Sequence, residues 1–142
     1  MRALLAGMLC ALLWAATASA AAVVITNDRG GSVSGYRAKY AGYAAQGLKI
    51  RIEGPCLSAC TLLTIYIPND NICIMPAAVL GFHAERNGYG KEDTLNNIDS
   101  LSLTFEYPQD ISNWLMNHGG SLQPEMVFMR YDDLRMLYRD CS

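Results

Sequence analysis

The sequence predicts an α/β fold with a mainly parallel sheet, because apolar strands and helices alternate along the chain. A strand at 22–26 is followed by a glycine-containing turn and a helix, and a strand at 48–52 is followed by a sharp turn and a second apolar segment. Two consecutive strand–helix units of this length are typical of a parallel layer. Loops at the carboxyl ends of parallel strands converge on one edge, so we expect a functional site there.

The first unit contains a turn and a tyrosine-rich helix. Residues 27–31, Asn-Asp-Arg-Gly-Gly, form the predicted turn, which ends in Gly30-Gly31. A helix is predicted over 36–46, with Ser32 or Ser34 as its cap and a glycine as its stop. Its tyrosines recur at helical spacing, a pattern typical of core packing.

The second unit contains the most informative stretch of the chain, residues 54–60. The strand at 48–52 alternates with period two, Gly54-Pro55 is predicted to end it, and a helix is predicted over 61–67. Ser58 then lies in the first helical turn, where unpaired backbone N–H groups favour an oxyanion. A serine at such a turn is most often only a helix cap.

A later pair of short strands brings a histidine to the end of a strand. Residues 72–75 and 78–82 are apolar and are separated by a proline. The second of them is followed directly by His83. The alternative interpretation of His83 is a core histidine that is hydrogen-bonded to a backbone carbonyl.

The C-terminal part is predicted to be helical. A long amphipathic helix is expected over 94–117, and Pro108 should break or kink it because proline lacks a backbone N–H. One or two short helices are expected over 124–137.

The first twenty residues have the pattern of a secretory signal peptide. Arg2 precedes an apolar segment at 3–14, and 18–20 is a small-residue A-x-A cleavage site. Residues 21–142 are long enough for one domain. They contain no second apolar stretch of about 18 residues, which predicts a periplasmic or secreted protein without a membrane partner.

The charge of the chain argues against a nucleic-acid partner. The formal charge is −2, and loss of Arg2 with the signal peptide makes it −3. This net charge is mildly negative, and the sequence contains no stretch rich in lysine and arginine that could bind nucleic acid.

Four cysteines remain after cleavage, and in an oxidising compartment an even number predicts two disulfides. Three connectivities are open, and Cys56 with Cys73 is favoured because that bond would join the end of one strand to the next. A metal site is the rival interpretation, but Cys-x-x-x-Cys is not the tight spacing of most zinc motifs. The four residues are Cys56, Cys60, Cys73 and Cys141.

Three features follow one another in an order that suggests a catalytic site. Gly30-Gly31 comes after the first strand, Ser58 after the second and His83 after a later one. Together they supply an oxyanion-binding turn, a nucleophile and a general base from loops that could meet at one edge.

These segments resemble the proteolytic subunit of the Clp protease and the wider Clp/crotonase superfamily. Residues 25–31 resemble its strand and Gly-Gly turn, 56–59 its serine segment, and 74–83 its strand-Pro-strand unit ending in histidine. The interval of 25 residues from serine to histidine agrees with the family pattern. The likeness is greatest to a secreted branch with a Cys-x-Ser-Ala-Cys motif.

The resemblance implies repeated β-β-α units that form a spiral, with a long helix after the histidine strand. It implies Ser58 as nucleophile, His83 as base, and an oxyanion hole built from the N–H groups of Ala59 and of Gly30 or Gly31. It also implies a serine hydrolase, in particular a peptidase, that acts on a peptide or protein, forms a homo-oligomer and needs no metal or other cofactor.

The third member of the implied triad is open. The family places an aspartate after its long helix, where this chain has Asp132 and Asp133 slightly later than expected. A dyad without an acid is a further alternative. The other acids considered are Glu106, Asp110 and Glu125.

Two other classes of function are open. A non-catalytic binding or assembly module of the same fold would also lack an acid, because fold does not determine function. A thiol-redox or metal protein would use Cys56 and Cys60 as free thiols.

Overall fold

The computed structural model describes residues 21–84 and 97–142. The predicted signal peptide, the polar loop before the long helix and the first residues of that helix lie outside the described residues. The described part contains seven strands and five α-helices. None of its helices has the length and apolar character needed to cross a membrane.

The strands and helices alternate through most of the described chain. The strands are β1 (Ala22–Ile25), β2 (Lys49–Ile52), β3 (Pro55–Leu57), β4 (Ile72–Ile74), β5 (Val79–Phe82), β6 (Val127–Met129) and β7 (Arg139–Asp140). The helices are α1 (Val33–Ala45), α2 (Leu63–Tyr66), α3 (Asn97–Glu106), α4 (Gln109–His118) and α5 (Tyr131–Leu134). A 3₁₀ helix, Ser58–Leu62, leads directly into α2.

Two sheets organise these elements. The first has the order β1-β2-β4-β7 and is parallel throughout. The second has the order β3-β5-β6, in which β3 and β5 are parallel and β6 is antiparallel to β5. The predicted α/β class with a mainly parallel sheet is therefore confirmed.

The chain passes from the first sheet to the second at Gly54, which differs from the prediction that Gly54-Pro55 leads straight into a helix. A Cβ atom on Gly54 would collide with the carbonyl oxygen of Thr26. The Gly54 N–H donates to the carbonyl of Ile25 at 3.3 Å. This close approach lets Pro55 start β3 in the second sheet, so the helical turn begins at Ser58.

The same passage occurs a second time further along the chain. β4 belongs to the first sheet, and β5 follows it in the second sheet after a short turn. A strand of the first sheet is thus twice followed by a strand of the second.

The core lies against one face of the first sheet. The period-two pattern predicted for β2 buries its isoleucines, while Arg51 lies on the opposite face. Tyr40 of α1 is fully buried and contacts Tyr36 and Tyr43 edge to face, with ring centroids 5.7 and 5.9 Å away. The tyrosines of α1 therefore pack against the core, as their spacing predicts. The buried isoleucines of the sheet are Ile25, Ile50, Ile52, Ile72 and Ile74.

The predicted long helix is divided into α3 and α4 at Pro108. Proline disfavours helical backbone at the residue before it and cannot donate a backbone hydrogen bond. The buried hydroxyl of Ser112 shares its one proton between the carbonyl of Thr104 at 2.6 Å and that of Tyr107 at 3.1 Å. These bonds satisfy carbonyl groups that the interrupted helix leaves without partners.

The C-terminal segment is less helical than predicted. Residues 124–137 contain β6 and the four-residue α5, and β7 follows. β6 pairs with β5, and β7 pairs with β4 at the edge of the first sheet. Pairing with distant strands therefore outweighs the local helical pattern.

Two disulfides are present, as the cysteine count predicts, but the favoured connectivity is wrong. Cys56 is bonded to Cys60, and Cys73 is bonded to Cys141. Cys56 and Cys73 belong to different sheets, because Gly54 moves the chain between them. The Cys56–Cys60 bond also leaves neither of these two residues as the free thiol that a thiol-redox or metal function requires.

The two disulfides are expected to stabilise the fold unequally. Their sequence separations are 68 residues for Cys73–Cys141 and 4 residues for Cys56–Cys60. By loop-closure entropy, removal of the long loop's bond should cost about 4 kcal/mol and removal of the short loop's bond about 2 kcal/mol. Urea unfolding of the two double Cys→Ala variants measures the difference. A greater loss for the Cys56/Cys60 variant would contradict the entropic account.

Candidate active site

Ser58 has an unusual backbone conformation at the junction of β3 and the 3₁₀ helix. Its φ is 57°, and among the described residues it is the only residue other than glycine with a positive φ. The left-handed region is uncommon for residues with a Cβ atom, and such strain is concentrated at functional sites. The sharp turn presents the Ser58 side chain at the start of the helix.

The turn at Gly30 packs directly against this junction. A Cβ atom on Gly30 would lie 2.8 Å from the Cβ of Ser58 and 2.8 Å from the backbone nitrogen of Ala59. Gly30 also has a φ of 79°. A side chain at this position would displace the serine turn, so glycine is required here.

A buried hydrogen-bond chain holds the backbone of Ser58 from the other side. The Thr61 hydroxyl donates to the carbonyl of Ser58 at 2.7 Å and lies 2.7 Å from the hydroxyl of Tyr107. Because the Thr61 proton is directed at the carbonyl, the Tyr107 hydroxyl donates to Thr61. Burial raises the pKa of Tyr107 to about 12, so the phenol keeps the proton that it donates.

The Cys56–Cys60 disulfide brackets the same turn. Its Cα atoms are 5.3 Å apart, and both cysteines are fully buried. The buried hydroxyl of Tyr40 contacts the sulfur of Cys60 at 3.6 Å. The bond therefore joins the strand before Ser58 to the helix after it.

His83 follows β5 and reaches Ser58 directly. Its Nε2 atom is 2.8 Å from the Ser58 hydroxyl oxygen. β3 and β5 are neighbouring parallel strands, with Leu57 paired to Gly81. Their carboxyl ends therefore bring the serine and the histidine together.

The other ring nitrogen of His83 is bonded to a backbone carbonyl. Nδ1 lies 2.6 Å from the carbonyl oxygen of Ala84. A carbonyl cannot donate, so Nδ1 carries the proton of the neutral ring and Nε2 accepts from Ser58. The Ala84 N–H donates to the carbonyl of Gln123 at 2.6 Å, which ties this residue to the segment before β6.

None of the acids considered from the sequence is hydrogen-bonded to His83 within the described residues. Asp132 is 91% exposed at its side chain and lies 3.5 Å from Arg135. The carboxylate of Asp133 accepts from the backbone N–H of Arg130. Both belong to α5, where they interact with their own helical turn.

The remaining acids also have other surroundings. Glu106 forms an ion pair with Arg37 at 2.7 Å, which links α3 to α1. Asp110 and Glu125 are exposed. The position that an acid would take beside His83 is occupied by the Ala84 carbonyl.

Asp28 supports the site and was not singled out from the sequence. Its carboxylate accepts from the Gly30 N–H at 2.9 Å and from the Tyr36 hydroxyl at 2.6 Å, and Lys39 lies 3.5 Å away. Burial opposes the charge of Asp28, but the bonds from Tyr36, Gly30 and Lys39 outweigh it and lower its pKa. The Asn-Asp-x-Gly order of the turn was the available signal, since Asp in a turn bonds to the backbone two residues on.

The oxyanion donors considered from the sequence differ in their bonding. The Gly30 N–H is engaged by Asp28. Within the part of the chain that the structure describes, the N–H groups of Gly31 and Ala59 donate no hydrogen bond. Ala59 is the second residue of the 3₁₀ helix, where an N–H has no partner inside the helix.

No protein-family model matches the chain, and no curated protein is found to be similar to it. Within residues 21–84 and 97–142, no three His, Cys, Asp or Glu side chains are close enough together to hold a metal ion.

The Asp28–Tyr36 bond should make stability depend on alkaline pH. Burial and the bond to Asp28 raise the pKa of Tyr36 from 10.0 to about 12. Its contribution is present below pH 10 and is lost as pH rises from about 10 to about 12. After allowance for partial solvent exposure, the loss should be about 1 to 2 kcal/mol.

The measurement is the free energy of unfolding of wild type and Tyr36→Phe between pH 8 and pH 12. The difference between the two proteins should shrink over the alkaline range, because contributions of the other tyrosines are common to both. A difference that stays constant with pH would contradict the role assigned to this bond.

Proposed function

We propose that the protein is a serine hydrolase, in particular a peptidase, that works in the periplasm or outside the cell. The observation that carries the proposal is the 2.8 Å hydrogen bond between the Ser58 hydroxyl and Nε2 of His83. It joins a serine in left-handed backbone to a histidine whose tautomer is set by a carbonyl. A nucleophile and a base within hydrogen-bond reach are the signature of covalent catalysis.

Ser58 would attack the carbonyl carbon of a peptide or ester. As the bond from the serine oxygen to that carbon forms, the hydroxyl proton moves to Nε2 of His83. The tetrahedral intermediate then breaks its bond to the leaving group, which takes the proton from His83. Water, activated by the same nitrogen, hydrolyses the acyl-enzyme and restores the serine.

The Ala84 carbonyl would perform part of the work of a triad acid. It accepts from Nδ1 and so keeps Nε2 free to take the serine proton. Its partial charge stabilises the imidazolium less than a full carboxylate charge would. We therefore assign a Ser58–His83 dyad, without Asp132 or Asp133, and expect slower turnover than a complete triad supports.

The N–H of Ala59 is the oxyanion donor that we assign most directly. It follows the nucleophile and lies at the start of a helix, where the N–H groups are free and the dipole is positive. Gly31 on the neighbouring turn is the second candidate, since its N–H donates no hydrogen bond to any residue that the structure describes. The N–H of Gly30 is not assigned to the oxyanion, because it donates to Asp28. Gly30 instead lets the two turns approach closely, because it has no side chain.

Two further observations bear on the family and the location that we propose for this hydrolase. The passage from a strand of the first sheet to a strand of the second before a helix is similar to the β-β-α spiral of the Clp/crotonase superfamily. Two disulfides are typical of an extracytoplasmic protein. We propose kinship to that superfamily and a periplasmic or secreted location on these grounds.

A fluorophosphonate probe tests the assignment, because it labels only an activated serine. Wild type should be labelled, Ser58→Ala should not, and Ser102→Ala, which removes an exposed serine of α3, should be labelled like wild type. His83→Gln should slow labelling by about 100-fold or more, since general base catalysis contributes that much. A folded wild type that takes no label would favour the non-catalytic module instead.

We also propose that the protein forms a homo-oligomer through α3. Phe105 is 64% exposed and Leu101, one turn earlier, is 41% exposed. Apolar side chains at this spacing form a stripe that a second copy can cover.

Size-exclusion chromatography with light scattering tests the oligomer. Wild type should exceed the monomer mass, and Phe105→Glu should shift it towards the monomer because a charge cannot be buried there without a partner. Met136→Glu is the matched control, since Met136 is 78% exposed but lies after α5. A monomeric wild type would remove this part of the proposal.

A further inference from the structure

A small pocket with mixed polar and apolar walls opens beside the Ser58 hydroxyl. It lies between the start of α1, the 3₁₀ helix and α3, and its apolar walls are Val33, Leu62 and Leu103. Its volume is about 20 Å³. A cavity needs about 10 to 15 Å³ to hold one water molecule, so this pocket accepts a group of about that size, such as a methyl.

The described walls of the pocket are fixed by the core behind them. Leu62 is 1% exposed and Leu103 is 8% exposed. The ring of Tyr107, which also lines the pocket, packs edge to face on Phe82 with centroids 5.3 Å apart. Its hydroxyl is held by Thr61, so the ring cannot turn away without breaking a buried hydrogen bond.

Apart from His83, no described side chain that lines the pocket is charged. The Tyr107 hydroxyl is engaged by Thr61, and apart from Ser58 and His83 the other described lining side chains are apolar. A charged group entering it would lose its hydration without an ionic partner, because His83 is bonded to Ser58 and the Ala59 N–H is assigned to the oxyanion. The size of the pocket and the lack of an ionic partner therefore both favour a small uncharged group.

We propose that the site is selective for acyl groups whose substituent is methyl-sized and uncharged, such as an acetyl group or an alanine on the acyl side of the cleaved bond. This inference rests on the proposed hydrolase function. Leu103 and Val33 are the specificity-determining residues, because each forms a wall of the pocket without belonging to the dyad.

Hydrolysis of p-nitrophenyl acetate, butyrate and octanoate tests the inference, with the rate of Ser58→Ala subtracted as background. Wild type should have a kcat/KM for acetate at least tenfold above that for butyrate, since a single surplus methylene in a tight pocket costs tenfold or more. Octanoate should be poorer still. Leu103→Ala should raise the butyrate-to-acetate ratio at least tenfold.

Leu115→Ala is the matched control, because it removes a leucine that is 1% exposed on α4 but does not line the pocket. Its ratio should equal that of wild type. Val33→Ala opens the pocket from the less buried start of α1 and should shift the ratio in the same direction, which keeps the test valid if Leu103→Ala does not fold.

The outcomes separate this inference from the proposed function. Fluorophosphonate labelling of Ser58 together with equal or better hydrolysis of the longer esters would overturn the pocket inference alone. Equal ratios in wild type, Leu103→Ala and Val33→Ala would do the same. A wild type that neither takes the label nor hydrolyses any ester would overturn both.

Discussion

The left-handed backbone of Ser58 is the constraint on which the rest of the site depends. Such a conformation costs about 1 to 3 kcal/mol and persists only where its surroundings enforce it. Here the Cys56–Cys60 bond brackets the turn, and Thr61 holds the Ser58 carbonyl. Gly30 packs so closely against the turn that a Cβ atom there would collide with Ser58 and Ala59.

The groups that hold the Ser58 turn come from separate parts of the fold, and their contacts with the turn connect those parts to one another. Asp28 fixes the Gly30 turn and is itself held by Tyr36 and Lys39 of α1. Tyr107, at the junction of α3 and α4, reaches the turn through Thr61. The packing of α1 and α3 on the sheets is therefore coupled to the geometry of the nucleophile through hydrogen bonds.

His83 is oriented by main chain instead of by an acid. The Ala84 carbonyl accepts from Nδ1, and the Ala84 N–H is bonded to Gln123. The same segment is anchored by Leu122, whose N–H donates to the buried Thr104 hydroxyl at 3.1 Å. The histidine is thereby fixed by the fold of the C-terminal segment, with the correct tautomer but without a full negative charge behind the ring.

The sequence by itself determined the features that depend on local patterns. Period-two alternation identified β2, tyrosine spacing identified the buried side of α1, and Pro108 marked the break between helices. The order of Ser58 and His83 at the ends of strands suggested that they meet. The number of cysteines indicated two disulfides, since oxidising conditions leave few thiols free.

Only the tertiary structure decided the features that depend on contacts between distant segments. The passage at Gly54 into a second sheet separates Cys56 from Cys73, and the pairing of β7 with β4 brings Cys141 to Cys73 instead. The Ala84 carbonyl takes the place of an acid beside His83. The sequence could not indicate this, because a backbone group is the same in every residue type. Strand pairing, close approach of backbones and carbonyl orientation arise from the packed chain as a whole, so local patterns cannot encode them.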